Sequence, residues 1–201
     1  MIHRFKCILK IFFGLMIVLT AIIAYRNSFD HLYELTFLSS FTCGLVFLTD
    51  GILNCVLSKK IPTIIFQALI VATNVVFCTC IWTLLGLHTF NFSGAFSFLH
   101  AINPPVFLLL YLFTTRLEIR SKKEYLIRIF ASPVIIMGYL LFDIIRYCVT
   151  GNLVYGLIST EHLTVVSVLL IGIGFYFLMA FMAYGLQELK LFIQKKCDAH
   201  D

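Results

Sequence analysis

The chain has 201 residues, of which 61% are hydrophobic and only 12% charged, with a formal net charge of +5. Soluble domains are nearer half apolar and a quarter charged, so this balance excludes a soluble domain. It does not point to nucleic acid either, because the positive residues sit in short segments between apolar runs rather than in a basic patch interleaved with aromatics.

Apolar runs of about 20 residues, enough to cross a bilayer, recur along the whole length. Six spans are predicted, at 8–25, 36–57, 63–87, 94–115, 126–147 and 163–186, within one membrane domain covering 1–201. The fold class expected is therefore all-α, a polytopic six-transmembrane-helix bundle. Arg4, Lys6 and Lys10 ahead of the first run resemble the start of a signal peptide. The run is long, however, and no small-x-small cleavage site follows it cleanly, so it reads as a retained first span. Positive segments stay in the cytoplasm. With the N-terminus inside, every lysine and arginine except Arg26 and Arg146 falls on the inner side, and both termini are expected to be cytoplasmic. The cell membrane is the membrane expected.

Polar groups are costly inside a span and usually face the bundle or a wet cavity. Here they fall into stripes. On the second span Thr36, Ser40, Cys43, Phe47 and Asp50 recur at four-three-four-three spacing, one face of a helix. Ser132, Tyr139, Asp143 and Arg146 do the same on the fifth. The seven cysteines lie mostly within apolar runs, show no metal-ligand spacing, and read as small buried side chains. No metal, organic cofactor or disulfide framework is implied.

The fourth span, "FSFLHAINPPVFLLLYLF", is unusual. A proline lacks its own N–H and clashes with the carbonyl four residues earlier. Pro104 thus disturbs the carbonyl of His100, and Pro105 that of Ala101, so the helix is expected to open beside the histidine. Open backbone at membrane depth survives only when buried in protein or lining water. The alternative is a kink used for packing alone.

Thr36 begins the second span and His100 lies one to two turns into the fourth, at similar depth. A hydroxyl is a poor nucleophile until a base takes its proton, and histidine is the usual base. Thr36 and His100 are therefore a candidate pair. Asp143 would either orient the imidazole or pair with Arg146 one turn away. Asn103 is a candidate oxyanion donor, and Tyr139 and Tyr155 could donate to a substrate oxygen or serve as interfacial anchors. Asp50 lies about 21 Å deeper than Thr36, in the other half of the bundle.

Three segments carry a family resemblance: "LTFLSSFTCGLVFLTD" in the second span, "LHAINPP" in the fourth, and "GYLLFDIIRYCVTGNLVYGLI" at the exit of the fifth. They resemble the androgen-induced membrane-protein family and similar bacterial six-span proteins. The family includes threonine hydrolases that cleave fatty acid esters of hydroxy fatty acids. The resemblance implies that Thr36 is the nucleophile and His100 the catalytic histidine, acting on a lipid ester that enters from the bilayer. The second span is about one turn shorter than in animal members. Phe98 and Leu99 replace an asparagine and a second histidine, and Gly156 and Leu157 replace a proline and a phenylalanine. A transporter or channel using Asp50, Asn74 and Asp143, and an adaptor binding through "RLEIRSKKEYLIR", are the rival readings.

Overall fold

The computed structural model describes residues 2–86, 93–154 and 164–198. It is all-helical, without strands among the described residues. Among the described residues six helices or helix pairs are long and apolar enough to cross a membrane. The elements run α1 (Ile2–Tyr25), a 3-10 turn (Phe29–His31), α2 (Leu35–Leu57), α3 (Thr63–Leu84), α4 (Ala95–Ser97), a π turn (Phe98–Ile102), α5 (Asn103–Thr114), α6 (Lys122–Ala131), α7 (Val134–Thr150) and α8 (Val165–Asp198). The end of the bundle that holds Lys6, Lys10 and Lys60 is called here the basic end. The end holding Thr36 is called distal.

The first span is longer than the sequence predicts and takes Arg4 and Lys6 into the helix. It lies against α2 at backbone contact. A Cβ on Gly14 would sit 2.6 Å from the Leu48 nitrogen and 2.8 Å from the Gly44 carbonyl, and one on Gly44 would meet Val18 at 2.9 Å. Small residues let membrane helices approach this closely, where dispersion rather than the hydrophobic effect holds them. Helix α2 ends at Ser58, a non-glycine residue in the left-handed region (φ 53°), and its short connection is held by Asp50, whose Oδ1 accepts the Ile61 N–H at 2.7 Å.

The fifth span is not one helix. It breaks between α6 and α7 at Ser132–Pro133, because Pro133 has no N–H to offer the Ile129 carbonyl, while the Ser132 amide and hydroxyl both donate to the Arg128 carbonyl, at 3.2 and 2.6 Å. Ser121 caps α6 by accepting the Glu124 N–H at 3.1 Å, and Glu124 reaches back to the Arg120 N–H at 3.0 Å, close to a capping box. The sixth span also departs from expectation. Its 34 residues extend to Asp198, roughly 51 Å of helix against a hydrocarbon core of about 30 Å.

Among the described residues three hydrophobic clusters fill the bundle. In the basic half Phe47 lies between Phe66 (ring centroids 4.9 Å) and Phe107 (5.7 Å), joining α2, α3 and α5. A second cluster packs Leu35, Val71, Val76, Ile136, Met179 and Ala183. The third, at the distal end, holds Ala21, Tyr25 and Leu99, with Phe37, Phe41 and Phe96 against it. Polar ties fix α8 to the rest. Gln67 donates to the Ala183 carbonyl at 3.2 Å, and the buried Lys190 ammonium caps the end of α5 through the Leu112 and Thr115 carbonyls, both at 2.6 Å. Outside these contacts α8 is largely exposed along Leu169, Leu170, Phe177 and Phe181, a surface suited to acyl chains.

Candidate functional site

The site begins with a change of helical pitch. From Phe98 to Ile102 the fourth span widens to a π turn, in which the Asn103 N–H reaches back five residues to the Phe98 carbonyl. Pro104 and Pro105 then fall in the first turn of α5, where missing donors are tolerated. The open break expected from the sequence is thus corrected to a π turn, which accommodates both prolines without interrupting the rod. Such turns recur at functional sites. The His100 carbonyl, the group that Pro104 deprives of its donor, accepts instead from the Cys80 thiol of α3 at 3.3 Å.

This geometry aims the imidazole. His100 is 4% exposed, and Leu99 beside it is fully buried, whereas Phe98 and Ile102 face outward. The ring places Nδ1 2.9 Å from the Phe96 carbonyl and Nε2 3.3 Å from Thr36 Oγ1. A carbonyl only accepts, so the neutral ring carries its proton on Nδ1. Nε2 is then the acceptor, and the Thr36 hydroxyl donates to it. Thr36, 2% exposed, is the second residue of α2, after the Glu34 cap and Leu35. At 3.3 Å the contact is slightly longer than the 2.6–3.2 Å of an engaged nucleophile and base.

The surroundings are apolar on one side and hydroxylated on the other. Tyr25, whose OH donates to Glu34 at 2.6 Å, stacks edgewise on Phe37 and Phe96, each at 5.1 Å. Ser39 and Ser40 follow Thr36 by one turn on the buried side of α2. Their hydroxyls are buried and have no hydrogen-bond partner among the described residues. Ser40 belonged to the predicted stripe, whereas Ser39 did not.

The other sequence candidates are placed elsewhere. The Asn103 amide donates to Thr20 Oγ1 at 3.2 Å, tying the fourth span to the first. Neither role weighed for Asp143 describes it: its Oδ1 accepts the Val154 N–H at 2.8 Å. Arg146 instead donates to the Asn152 carbonyl at 2.8 Å and to the Tyr33 hydroxyl at 3.2 Å, with its guanidinium 4.7 Å over the Tyr33 ring. The reason is local. Gly151, in the left-handed conformation (φ 74°), ends α7 and folds the chain back, so the backbone of 152–154 competes successfully for both side chains. Tyr139 packs on the second core, against the cluster that contains Leu35. Tyr155 lies outside the described residues. Asp50 is ion-paired with Lys10 at 2.6 Å, both side chains nearly sealed from solvent.

Three contributors were missed in the sequence: the Phe96 carbonyl, the Cys80 thiol and the Ser39 hydroxyl. The first has a simple signal, since residue i−4 on a helix offers its carbonyl toward residue i. Among the described residues no cluster of His, Cys, Asp and Glu is suited to a metal. No family model, curated protein or solved structure matches the chain.

Proposed function

We propose that the chain is an intramembrane hydrolase of lipid esters, with Thr36 as nucleophile and His100 as base, acting on fatty acid esters of hydroxy fatty acids or similar lipids. The observation that carries this reading is the Thr36–His100–Phe96 relay: a buried hydroxyl 3.3 Å from Nε2, and Nδ1 held 2.9 Å from a carbonyl. The resemblance in the second, fourth and fifth spans supports it.

In this mechanism Thr36 Oγ1 attacks the ester carbonyl carbon as its proton passes to Nε2. The imidazolium is stabilised by the Nδ1–H bond to Phe96, which does the work usually given to a carboxylate. Nε2–H protonates the departing alkoxide, leaving an acyl-threonine and a free hydroxy lipid. Water then loses a proton to Nε2 and attacks the acyl carbon; as the acyl–oxygen bond breaks, Nε2–H returns that proton to Thr36 Oγ1, releasing the fatty acid and restoring both residues. The Ser39 and Ser40 hydroxyls, one turn along the same helix, are the donors nearest in sequence for the oxyanion or the attacking water. Asn103, engaged with Thr20, is not needed for that role. The positive-inside bias puts both termini in the cytoplasm and the site beneath the outer face, and substrate enters sideways from the outer leaflet, its chain along Phe37, Phe41 and Phe96.

Labelling with a fluorophosphonate probe tests the pair. The wild-type chain should be labelled, and Thr36→Ala and His100→Ala should each abolish labelling. Persistent labelling of either variant refutes the assignment.

A further inference from the structure

At the basic end, about 21 Å from Thr36 along α2, a cavity of about 170 Å³ opens between α1, α2, α3 and the exit of α5. Four cations line it, Lys6, Lys10, Lys60 and Arg116, against one carboxylate, Asp50. That carboxylate is already neutralised by Lys10 at 2.6 Å and by the Ile61 N–H at 2.7 Å, so it offers little repulsion to an incoming anion. Lys6 and Lys60 are exposed and have no ion-pair partner among the described residues. Thr63 adds a hydroxyl whose oxygen accepts from Arg128 at 2.7 Å, which leaves its proton to donate into the cavity.

We propose that this cavity is a binding site for the anionic phosphate headgroup of a membrane lipid. Several lysines and an arginine converging on one concavity, with the Thr63 hydroxyl, match a phosphate monoester better than a carboxylate or a neutral sugar. Position argues for a lipid rather than a soluble anion. The cavity is bordered by residues of the two connections that flank spans, 58–62 and 115–121, and so lies at headgroup depth. Ile61 and Phe66 give it an apolar wall on which the glycerol and the first acyl carbons can rest. The site is independent of Thr36 chemistry.

The full-length chain in a nonionic detergent can be titrated with dioctanoyl phosphatidic acid, dioctanoyl phosphatidylcholine and inorganic phosphate, with apparent Kd read by microscale thermophoresis. Phosphatidic acid should bind most tightly, and binding should weaken with salt. Lys6→Gln with Lys60→Gln should raise Kd about 25-fold, about fivefold per cation at the membrane surface. The arginine pair Lys6→Arg with Lys60→Arg should bind like wild type, which separates charge from damage to the fold. Lys122→Gln with Lys123→Gln, at the same end but off the cavity, should change Kd by no more than about twofold because exposed distant charges are screened. The proposal is overturned if phosphatidylcholine binds as tightly as phosphatidic acid, or if the Lys122/Lys123 variant loses as much as the Lys6/Lys60 variant. Equal affinity for inorganic phosphate overturns the lipid assignment and leaves a soluble-anion site.

Discussion

Two of the side-chain pairs buried between spans are built on opposite terms. At the basic end Lys10 and Asp50 are charged, 2.6 Å apart, and further tied to a backbone amide. At the distal end Thr36 and His100 are neutral, 3.3 Å apart, on a π turn, with two buried hydroxyls that bond to nothing described. Removing one member of a sealed ion pair strands a charge, whereas removing one member of the distal pair strands only a dipole. Satisfied charges give stability; loosely held neutral groups that can exchange a proton give chemistry. The two ends should therefore respond to mutation in opposite currencies.

The widest separation is expected in rate. Thr36→Ala or His100→Ala should lower ester hydrolysis about 10³-fold or more, while detergent-solubilised thermal stability stays near wild type. A large loss of stability in either would make the distal pair structural as well. A pH profile sharpens the same point. Protonated imidazole cannot accept the Thr36 proton, so hydrolysis should be present at high pH and fall through one ionisation as pH drops.

Asp50→Leu should do the reverse. It leaves the Lys10 ammonium buried and unpaired, a cost of about 3–5 kcal/mol, and Lys10→Met in the same chain should recover most of it. Denaturation midpoints of the single and double variants decide this, and an Asp50 variant that loses turnover at full stability would erase the contrast between the ends.

Ser40→Ala is a smaller test. The hydroxyl has no partner to lose, so stability should change by less than about 1 kcal/mol, while turnover falls about 10- to 100-fold if it holds the oxyanion or the water. The smallest effect belongs to Cys80→Ala, which deprives the His100 carbonyl of its donor. It should cost about 1 kcal/mol and slow turnover a few-fold, and Cys80→Ser should restore both.

The positions of the spans were legible because each is a long apolar run, and the meeting of Thr36 with His100 was legible because depth and helical face can be counted along a chain. What was not legible depends on partners. Lys10 reads as one more positive flank until Asp50, forty residues away, is seen against it. Cys80 reads as a small apolar side chain until a proline twenty-four positions later frees a carbonyl beside it. Asp143 and Arg146 at three-residue spacing suggest an ion pair, but the chain folding back after Gly151 offers backbone groups at closer range. Gly14 and Gly44 carry no pattern in either helix alone. Their meaning lies in the crossing.

The Lys10–Asp50 bond also bears on how the chain enters its membrane. A lysine among apolar residues resists partition into hydrocarbon by up to about 3 kcal/mol, and its neutralising partner is synthesised forty residues afterwards. The first span should therefore wait at the translocon and leave it together with the second, as a hairpin already zipped along its glycines. A nascent chain truncated after residue 34 should remain extractable by alkali, and one extended to residue 62 should not.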